Sequence, residues 1–351
     1  MKLSSNWFTG KTLFLLLALA LSSLCVEAQQ LNPALASRIA IHRSMSGGTM
    51  GSMYFKPPVE AESPGVTLSF GRVDYPRSPS GTAYGLNAKG DVVGVWGPIS
   101  PIGYFASFGY LLKGNTFHDF NYPDAVASGP MAINDKRQIV GYYDPNGDGD
   151  FHAFLYKDAQ FTNIDYPGST GGAAYGINDS GEVVGVYVDA LNAQHGFILQ
   201  QGVYSTIDPP ASVSTEPLSL NSSGIVVGDY YDSNQQLHGF IYQNGQFTTV
   251  DYPGSPDAIL TGINDAGQIV GGYGADTIVG GYDWRTPNMF LLDQGQFTPL
   301  TLPVDNAQVT LSYAFKGDLL AGFYVDSLAN LYGYQIQLGG IALCQQSRGT
   351  K

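Results

Sequence analysis

Residues 246–273 read QFTTVDYPGSPDAILTGINDAGQIVGGY, and residues 160–187 read QFTNIDYPGSTGGAAYGINDSGEVVGVY. The two stretches share an opening aromatic residue, a turn proline and the asparagine of a Gly-Ile-Asn-Asp motif. The aromatic residue recurs along the chain at Phe70, Phe117, Phe161, Tyr204, Phe247 and Phe297. The period is about 43 residues with insertions in some units, and such a period is typical of a solenoid, a propeller or another array. The sequence therefore predicts six structural repeats.

Each repeat carries the signals of four strands. In one repeat, runs of β-branched, aromatic and other apolar residues occupy residues 238–242, 247–251, 259–264 and 268–273. Turn sequences separate these runs, and Asn244-Gly245 is the strongest short hairpin signal among them. Four antiparallel strands in about 43 residues match one propeller blade. We therefore predict an all-β fold, a six-bladed β-propeller of four-stranded antiparallel blades, over residues 66–341.

The two ends of the repeat array predict how the ring closes. The last unit has a final strand at residues 331–338 but no following unit, and the strand at residues 66–74 has no preceding unit. Pairing these two strands would remove two free edges, which otherwise invite aggregation. We therefore expect the N-terminal strand to complete the last blade.

Residues 1–28 have the pattern of a secretory signal peptide. Lys2 and Lys11 make the beginning positive, residues 13–24 form an apolar core too short to span a membrane comfortably, and a small residue precedes the cleavage position. The alternative is a lipoprotein site at Cys25. In either case we expect an exported protein, secreted or periplasmic.

Composition limits the classes of partner. The chain has 16 lysines and arginines against 29 aspartates and glutamates, a formal net charge of −13. This excess argues against nucleic acid and against adsorption to anionic lipid. After removal of residues 1–28, Cys344 is the remaining cysteine, so no internal disulfide can form. We expect a monomer without membrane insertion, preceded by a flexible lead-in at residues 29–65 and followed by a short tail at 342–351.

Three motifs together resemble a known family. The combination of Asp-Tyr-Pro-Gly, Gly-Ile-Asn-Asp and His-Ala/Gly-Phe is similar to the exported bacterial repeat proteins called the HAF family. His152-Ala153-Phe154 matches the family tripeptide, and His195 and His238 begin closely similar tripeptides. The resemblance covers about residues 66–340. It implies a propeller-like fold and an extracytoplasmic location, and it identifies no catalytic residue.

Histidine and aspartate recur in the repeats, and each has two interpretations. The histidines His152, His195 and His238 either bind a metal around the axis or bond to the backbone at the start of a strand. The aspartates Asp74, Asp165, Asp208 and Asp251 either form an acidic ring or accept bonds from the Pro-Gly turn that follows them. Since Asn121 and Thr301 replace the aspartate in two repeats, we favour the turn interpretation for it.

One loop carries a candidate metal site. Residues 144–150 read DPNGDGD, in which the oxygen-bearing side chains are Asp144, Asn146, Asp148 and Asp150. Oxygen ligands at relative positions 1, 3 and 5 followed by glycine resemble a calcium loop, so calcium is the predicted cofactor. Position 12 of such a loop is a bidentate acid, but here it is Leu155. An acidic polar turn is the alternative.

A second non-repeated stretch is the insertion at residues 274–287, which contains Asp283, Trp284 and Arg285. These three side chains are candidate ligand-binding residues, because they stand in the long loop that does not follow the repeat. An exposed elaboration without function is the alternative.

The preferred function is a secreted, non-catalytic binding or interaction module, with an extracellular glycan or protein as the ligand. The chain lacks the Gly-x-Ser-x-Gly, His-Glu-x-x-His and phosphate-loop motifs. The alternative is an extracellular hydrolase or lyase that acts on a carbohydrate or lactone at the propeller axis. Acidic and histidine side chains converging at one channel mouth would favour the enzyme, whereas repeat-equivalent amides or apolar side chains would favour the binding module.

Overall fold

The computed structural model describes residues 59–63, 66–76, 78, 80–97, 108–275, 277–279, 282–284 and 286–339. All regular structure in these residues is β-strand, and none of them forms a helix that could cross a membrane. The predicted signal peptide, the first part of the lead-in and the C-terminal tail lie outside the described residues.

Two strands precede the first complete blade, namely β1 (Val59–Ser63) and β2 (Val66–Val73). Blade 1 contains β3 (Gly81–Leu86), β4 (Val92–Trp96), β5 (Phe108–Lys113) and β6 (Thr116–Asp119). Blade 2 contains β7 (Ala127–Ile133), β8 (Ile139–Asp144), β9 (His152–Lys157) and β10 (Gln160–Asn163). Blade 3 contains β11 (Gly171–Ile177), β12 (Val183–Val188), β13 (Gln194–Gln200) and β14 (Val203–Thr206). In each blade the strands pair in chain order and run antiparallel.

The other three blades follow the same plan. Blade 4 contains β15 (Ser214–Leu220), β16 (Val226–Tyr231), β17 (Leu237–Gln243) and β18 (Gln246–Val250). Blade 5 contains β19 (Ala258–Ile263), β20 (Ile269–Tyr273), β23 (Asn288–Asp293) and β24 (Gln296–Leu300), with β21 (Thr277–Val279) and β22 (Tyr282–Trp284) as a separate hairpin between them. Blade 6 contains β25 (Ala307–Lys316), β26 (Leu319–Asp326) and β27 (Leu331–Gly339). The molecule is thus a six-bladed β-propeller, as the repeats predict.

The ring closes through the N-terminal strand, which confirms the closure prediction. β2 pairs antiparallel with β27, from Thr67 opposite Gly339 to Val73 opposite Gly333. β1 pairs with β2 on its other side, so the sheet of blade 6 has five strands in the order β1-β2-β27-β26-β25. Residues 59–63 belong to the segment expected to be a flexible lead-in, and their strand was not predicted from composition.

The buried side chains explain the recurring sequence motifs. Phe154, Phe197 and Phe240, the phenylalanines of the three histidine tripeptides, are fully buried. Each lies opposite a glycine of the preceding strand, as Phe197 lies opposite Gly185. A Cβ atom at Gly185 would lie 2.1 Å from the main-chain oxygen of Ala173, so only glycine fits at this position against the inner strand. Burying a phenylalanine in this way stabilises the fold by about 1.5–3 kcal/mol.

All six innermost strands contain a β-bulge at the equivalent residue. The register shifts fall at Tyr84, Met131, Tyr175, Leu218, Thr261 and Tyr313. A bulge leaves one residue without a cross-strand partner and re-aims its side chain. Five of these side chains, all except Thr261, pack together in one cluster at the axis. The bulges therefore turn these five side chains into the central channel, where they pack against each other.

Candidate functional site

The asparagine of the Gly-Ile-Asn-Asp motif holds its own turn and also joins neighbouring blades. In blade 3, Oδ1 of Asn178 accepts bonds from the amides of Ser180 and Glu182, both 3.0 Å long. Nδ2 of Asn178 donates to the main-chain oxygen of Asn221 in blade 4 at 3.1 Å. The same inter-blade bond starts from Asn87, Asn134, Asn221 and Asn264. A chain of amides thus runs from blade 1 to blade 6 around one mouth of the channel.

In three blades, the aspartate after this asparagine also forms a hydrogen bond to the preceding blade. Oδ1 of Asp135 accepts the amide of Ala88 at 2.7 Å, and Oδ1 of Asp179 accepts the amide of Asp135 at 2.8 Å. Asp265 accepts the amide of Ser222 at 2.9 Å in the same way. Each Oδ1 is therefore fixed by the preceding blade, while each Oδ2 faces the mouth of the channel.

Lys316, at the end of β25 in blade 6, reaches across the mouth to these carboxylates. Its Nζ donates to Oδ2 of Asp179 in blade 3 at 2.9 Å and lies 3.5 Å from Oδ2 of Asp135 and 3.6 Å from Oδ2 of Asp265. Burial alone would lower the pKa of Lys316, but the bond to Asp179 and the nearby carboxylates raise it above its usual value. Burial likewise would raise the pKa of Asp179, but the bond from Lys316, the amide of Asp135 and the charge of Lys316 together lower that pKa. Both groups are consequently charged at neutral pH.

A cavity of about 70 Å³ lies at this mouth. Its lining includes Lys316 and the bulge residues Tyr84, Met131, Tyr175, Leu218 and Tyr313. Four of the turn asparagines, Asn134, Asn178, Asn221 and Asn264, and the aspartates Asp179 and Asp265 also line it. The rings of Tyr84 and Tyr313 pack edge to face with centroids 5.4 Å apart. The cavity therefore has charged and amide groups at its rim and an aromatic and aliphatic floor.

Blade 4 places two carboxyl groups inside the propeller. Glu216 on β15 lies directly opposite Asp229 on β16, and the two residues are 5% and 3% exposed. Nε2 of Gln194 from blade 3 donates to Glu216 at 2.8 Å. Burial raises the pKa of Glu216 to about 7, although the bond from Gln194 acts in the opposite direction. The phenol of Tyr175 is close enough for the charges of both carboxyls to raise its pKa, in addition to its burial.

The recurring histidines and aspartates bond to each other, which corrects the backbone interpretation of the histidines and the turn interpretation of the aspartates. Nδ1 of His152 lies 2.7 Å from Asp165, and the pairs His195–Asp208 and His238–Asp251 repeat this contact. The second oxygen of Asp165 accepts the amide of Ala153 at 2.7 Å rather than an amide of the Pro-Gly turn. A constant spacing of 13 residues separates the partners, and this spacing was the sequence signal for the pairing. These pairs lie at the face opposite the Lys316 mouth. Each histidine stands at the start of the third strand of its blade, beside the loop that joins the second and third strands, whereas the asparagine turns join the first and second strands.

The predicted calcium loop uses its first carboxylate internally. Oδ1 of Asp144 accepts the amides of Asn146 and Gly147 at 3.0 and 2.6 Å, and Oδ2 accepts that of Gly149 at 2.9 Å. Asp148 accepts the amide of Asp150 at 3.1 Å. Asp144 is 2% exposed and directs both oxygens at amides of its own loop. Calcium binding at this loop stays a prediction from the sequence. Among the described residues, no group of three His, Cys, Asp or Glu side chains is arranged to hold a metal ion.

The candidate ligand residues of the insertion are placed only in part. Asp283 and Trp284 lie on β22, opposite Ile278 and Thr277 of β21. Arg285 lies outside the described residues. The hairpin belongs to the loop between the second and third strands of blade 5, on the face opposite the Lys316 mouth.

Sequence reasoning missed Lys316 and the buried carboxyl pair as site residues. Lys316 stands in the atypical stretch of the last repeat, where the asparagine motif is absent. The sequence signal for Glu216 was a carboxyl group at a repeat position where the neighbouring blades have the apolar residues Ala173 and Ile259. Asp229 likewise occupies a position where blade 3 has Val186.

Several solved structures are similar to this chain. AofleA from Arthrobotrys oligospora is 10% identical with a TM-score of 0.47, and the match covers 76% of this chain and 85% of that chain. The fucose-specific lectin from Aleuria aurantia is 12% identical with a TM-score of 0.45, covering 74% of this chain and 95% of that chain. TolB from Acinetobacter baumannii is 10% identical with a TM-score of 0.46, covering 74% of this chain and 64% of that chain. No family model and no curated protein sequence matches the chain. At these identities the likeness concerns the fold alone.

Proposed function

We propose that the protein is an exported, non-catalytic binding module that holds a small polyhydroxylated ligand, such as the terminal sugar of a glycan, at the Lys316 mouth of its channel. The observation that carries this proposal is the cavity itself, which combines carboxylates, an ammonium group and amides at the rim with tyrosine rings in the floor. Ligand sites in proteins are concave and mostly apolar, with a few convergent polar groups. Hydroxyl groups suit the rim, and the C–H faces of a sugar ring suit the floor.

The residues around the Lys316 mouth of the channel favour binding over catalysis. Repeat-equivalent asparagine amides surround it, and their polar atoms are used within the protein, as those of Asn178 are. The three paired histidines of the described residues stand at the other face, away from the carboxylates of the mouth. Export and membership of the HAF family remain predictions from the sequence.

An extracellular hydrolase or lyase is the second candidate, and Glu216 is the observation that favours it. A carboxyl group with a pKa of about 7 beside a second carboxyl suits a general acid at neutral pH. The pair is nearly fully buried, however, and a substrate would need a path to it. Glu216→Gln tests this candidate: it should abolish turnover of a glycan by an enzyme and leave glycan binding at the mouth unchanged.

The test of the proposed function is a glycan-binding screen followed by titration calorimetry on two matched variants. Asp179→Asn keeps an oxygen for the amide of Asp135 but removes the charge that faces the mouth. Asp158→Asn makes the same change on an exposed hairpin of blade 2, far from the mouth. We expect Asp179→Asn to weaken binding at least tenfold and Asp158→Asn to leave it unchanged. Equal affinities for both variants would place the ligand elsewhere and overturn the proposal.

A further inference from the structure

We propose that the ligand of the channel mouth carries a primary ammonium group and that Lys316 occupies the place of that group in the free protein. This inference rests on the proposed function and specifies its ligand class. The ammonium group is the shared chemistry, and an amino sugar and a linear polyamine are its two sources.

The three aspartates form an acceptor for an ammonium group. Nζ of Lys316 faces Oδ2 of Asp179, Asp135 and Asp265 at 2.9, 3.5 and 3.6 Å. An –NH₃⁺ group has three donors and no acceptor, so three carboxylate oxygens from three blades match its bonding pattern. The positions of these oxygens do not depend on Lys316, because a main-chain amide of the preceding blade holds the other oxygen of each carboxylate. The acceptor is therefore preorganised, which lowers the cost of binding.

The charge at the mouth selects a cation. Three carboxylates face the one ammonium group of Lys316. Lys89 donates its ammonium to the main-chain oxygen of Asp135, and Arg137 is paired with a further carboxylate, that of Asp91. The four carboxylates thus outnumber these three cations, and an anionic ligand would meet net repulsion. A cationic ligand that replaces Lys316 restores the same charge balance.

The floor of the cavity contains a buried tyrosine hydroxyl. Tyr84 lines the cavity and is 2% exposed; its hydroxyl lies near the side chain of Thr82 but makes no hydrogen bond of normal geometry with any described residue. A hydroxyl of the ligand that enters behind the ammonium group would pair with it. The ring faces of Tyr175 and Tyr313 beside it suit the C–H groups of the same ligand.

Lys316 acts in this arrangement as a tethered competitor. Its side chain is 22% exposed and crosses from blade 6 to blade 3 over the cavity. An incoming ammonium group takes its three acceptors, and the flexible lysine stem moves into solvent. Because a short tether gives an effective concentration in the millimolar range or above, the tethered group should weaken the binding of a free amine by at least tenfold.

The experiment measures binding of glucosamine, N-acetylglucosamine and putrescine by titration calorimetry at constant ionic strength. The proteins are the wild type, Lys316→Met, and Lys316→Met combined with Asp179→Asn. Lys157→Met, on an exposed strand end of blade 2, is the matched control. We expect Lys316→Met to bind glucosamine at least tenfold more tightly than the wild type, with no gain for N-acetylglucosamine. The added Asp179→Asn change should remove the gain, and Lys157→Met should behave as the wild type.

The outcomes separate this inference from the proposed function. A gain for glucosamine above that for putrescine identifies an amino sugar, and the reverse identifies a linear amine. If glycans bind through Asp179 but Lys316→Met brings no gain for amines, the ammonium inference is overturned and the proposed function stands. An equal gain for sodium ions also overturns it. If Lys316→Met fails to fold, Lys316→Gln, which keeps a neutral donor toward Asp179, replaces it in the same comparison.

Discussion

Glu216 is the residue whose ionisation should control the pH dependence of stability near neutrality. It lies opposite Asp229 and near the phenols of Tyr175 and Tyr313, with Gln194 as a hydrogen-bond donor. Burial raises its pKa from 4.5 to about 7, against the effect of the Gln194 bond. Between these two values the folded protein keeps a proton that the unfolded chain has released. The free energy of unfolding therefore falls as pH rises through this window and levels off above it.

We expect the wild type to lose on the order of 3 kcal/mol of stability between pH 4.5 and pH 8 through this group. Glu216→Gln keeps an oxygen for the Gln194 bond but does not ionise, so its stability should be nearly constant across the same range. Urea denaturation of both proteins at intervals of one pH unit measures the difference. Parallel pH profiles for the two proteins would show that Glu216 has an ordinary pKa in the folded state.

At the level of strands and turns, the repeated sequence motifs were sufficient to predict most of the fold. Runs of β-branched, aromatic and other apolar residues between turn sequences predicted the four strands of each blade. Asn244 and Gly245 adopt the left-handed conformation that this hairpin requires, with φ of 52° and 79°. In the asparagine motif, the side chain of Asn178 fixes its turn by accepting two amide bonds.

The elements of the site could not be predicted in the same way, because they depend on the ring. Lys316 and Asp179 are 137 residues apart and meet only because blades 3 and 6 are opposite each other. The bulge that turns Tyr84 or Tyr175 into the channel leaves no mark that distinguishes it from a regular strand residue. The histidine–aspartate pairs, in contrast, were accessible through their constant spacing within one blade.

The hydrogen bonds within the loop between β8 and β9 can be tested by mutation of Asp144. Asp144→Ala removes the acceptor of three buried or half-buried amides, so we expect it to lower the free energy of unfolding by about 1–3 kcal/mol with EDTA present. If the calcium loop predicted from the sequence is correct, millimolar calcium should raise the melting temperature of the wild type, and Asp148→Ala should abolish the rise. A melting temperature that calcium leaves unchanged would reject the calcium loop and leave the internal-acceptor account. An Asp144→Ala variant as stable as the wild type would contradict that account directly.

For the whole molecule, the N-terminal strand decides whether the ring is closed. β2 buries Leu68 and Phe70 in a cluster with residues of blades 5 and 6, and Val73 in a cluster with residues of blades 1 and 6; their exposed fractions are 0%, 5% and 3%. Burial of three such side chains stabilises the fold by roughly 5–9 kcal/mol, which is comparable with the entire stability of a typical domain. Without β2, the edge of β27 would also be free to pair with another molecule.

A chain that begins at Thr82 should therefore be insoluble or unfolded, whereas a chain that begins at Val66 keeps β2, loses only β1 and should remain folded. Soluble yield, thermal melting followed by circular dichroism, and size-exclusion chromatography compare the two chains with the full protein. The shorter chain removes four buried apolar side chains, Leu68, Phe70, Val73 and Tyr75, and exposes one long strand edge, so aggregation should accompany its loss of structure. If the chain from Thr82 melts at the temperature of the full protein and remains monomeric, the six blades hold together without the N-terminal strand, and closure is not what stabilises the ring.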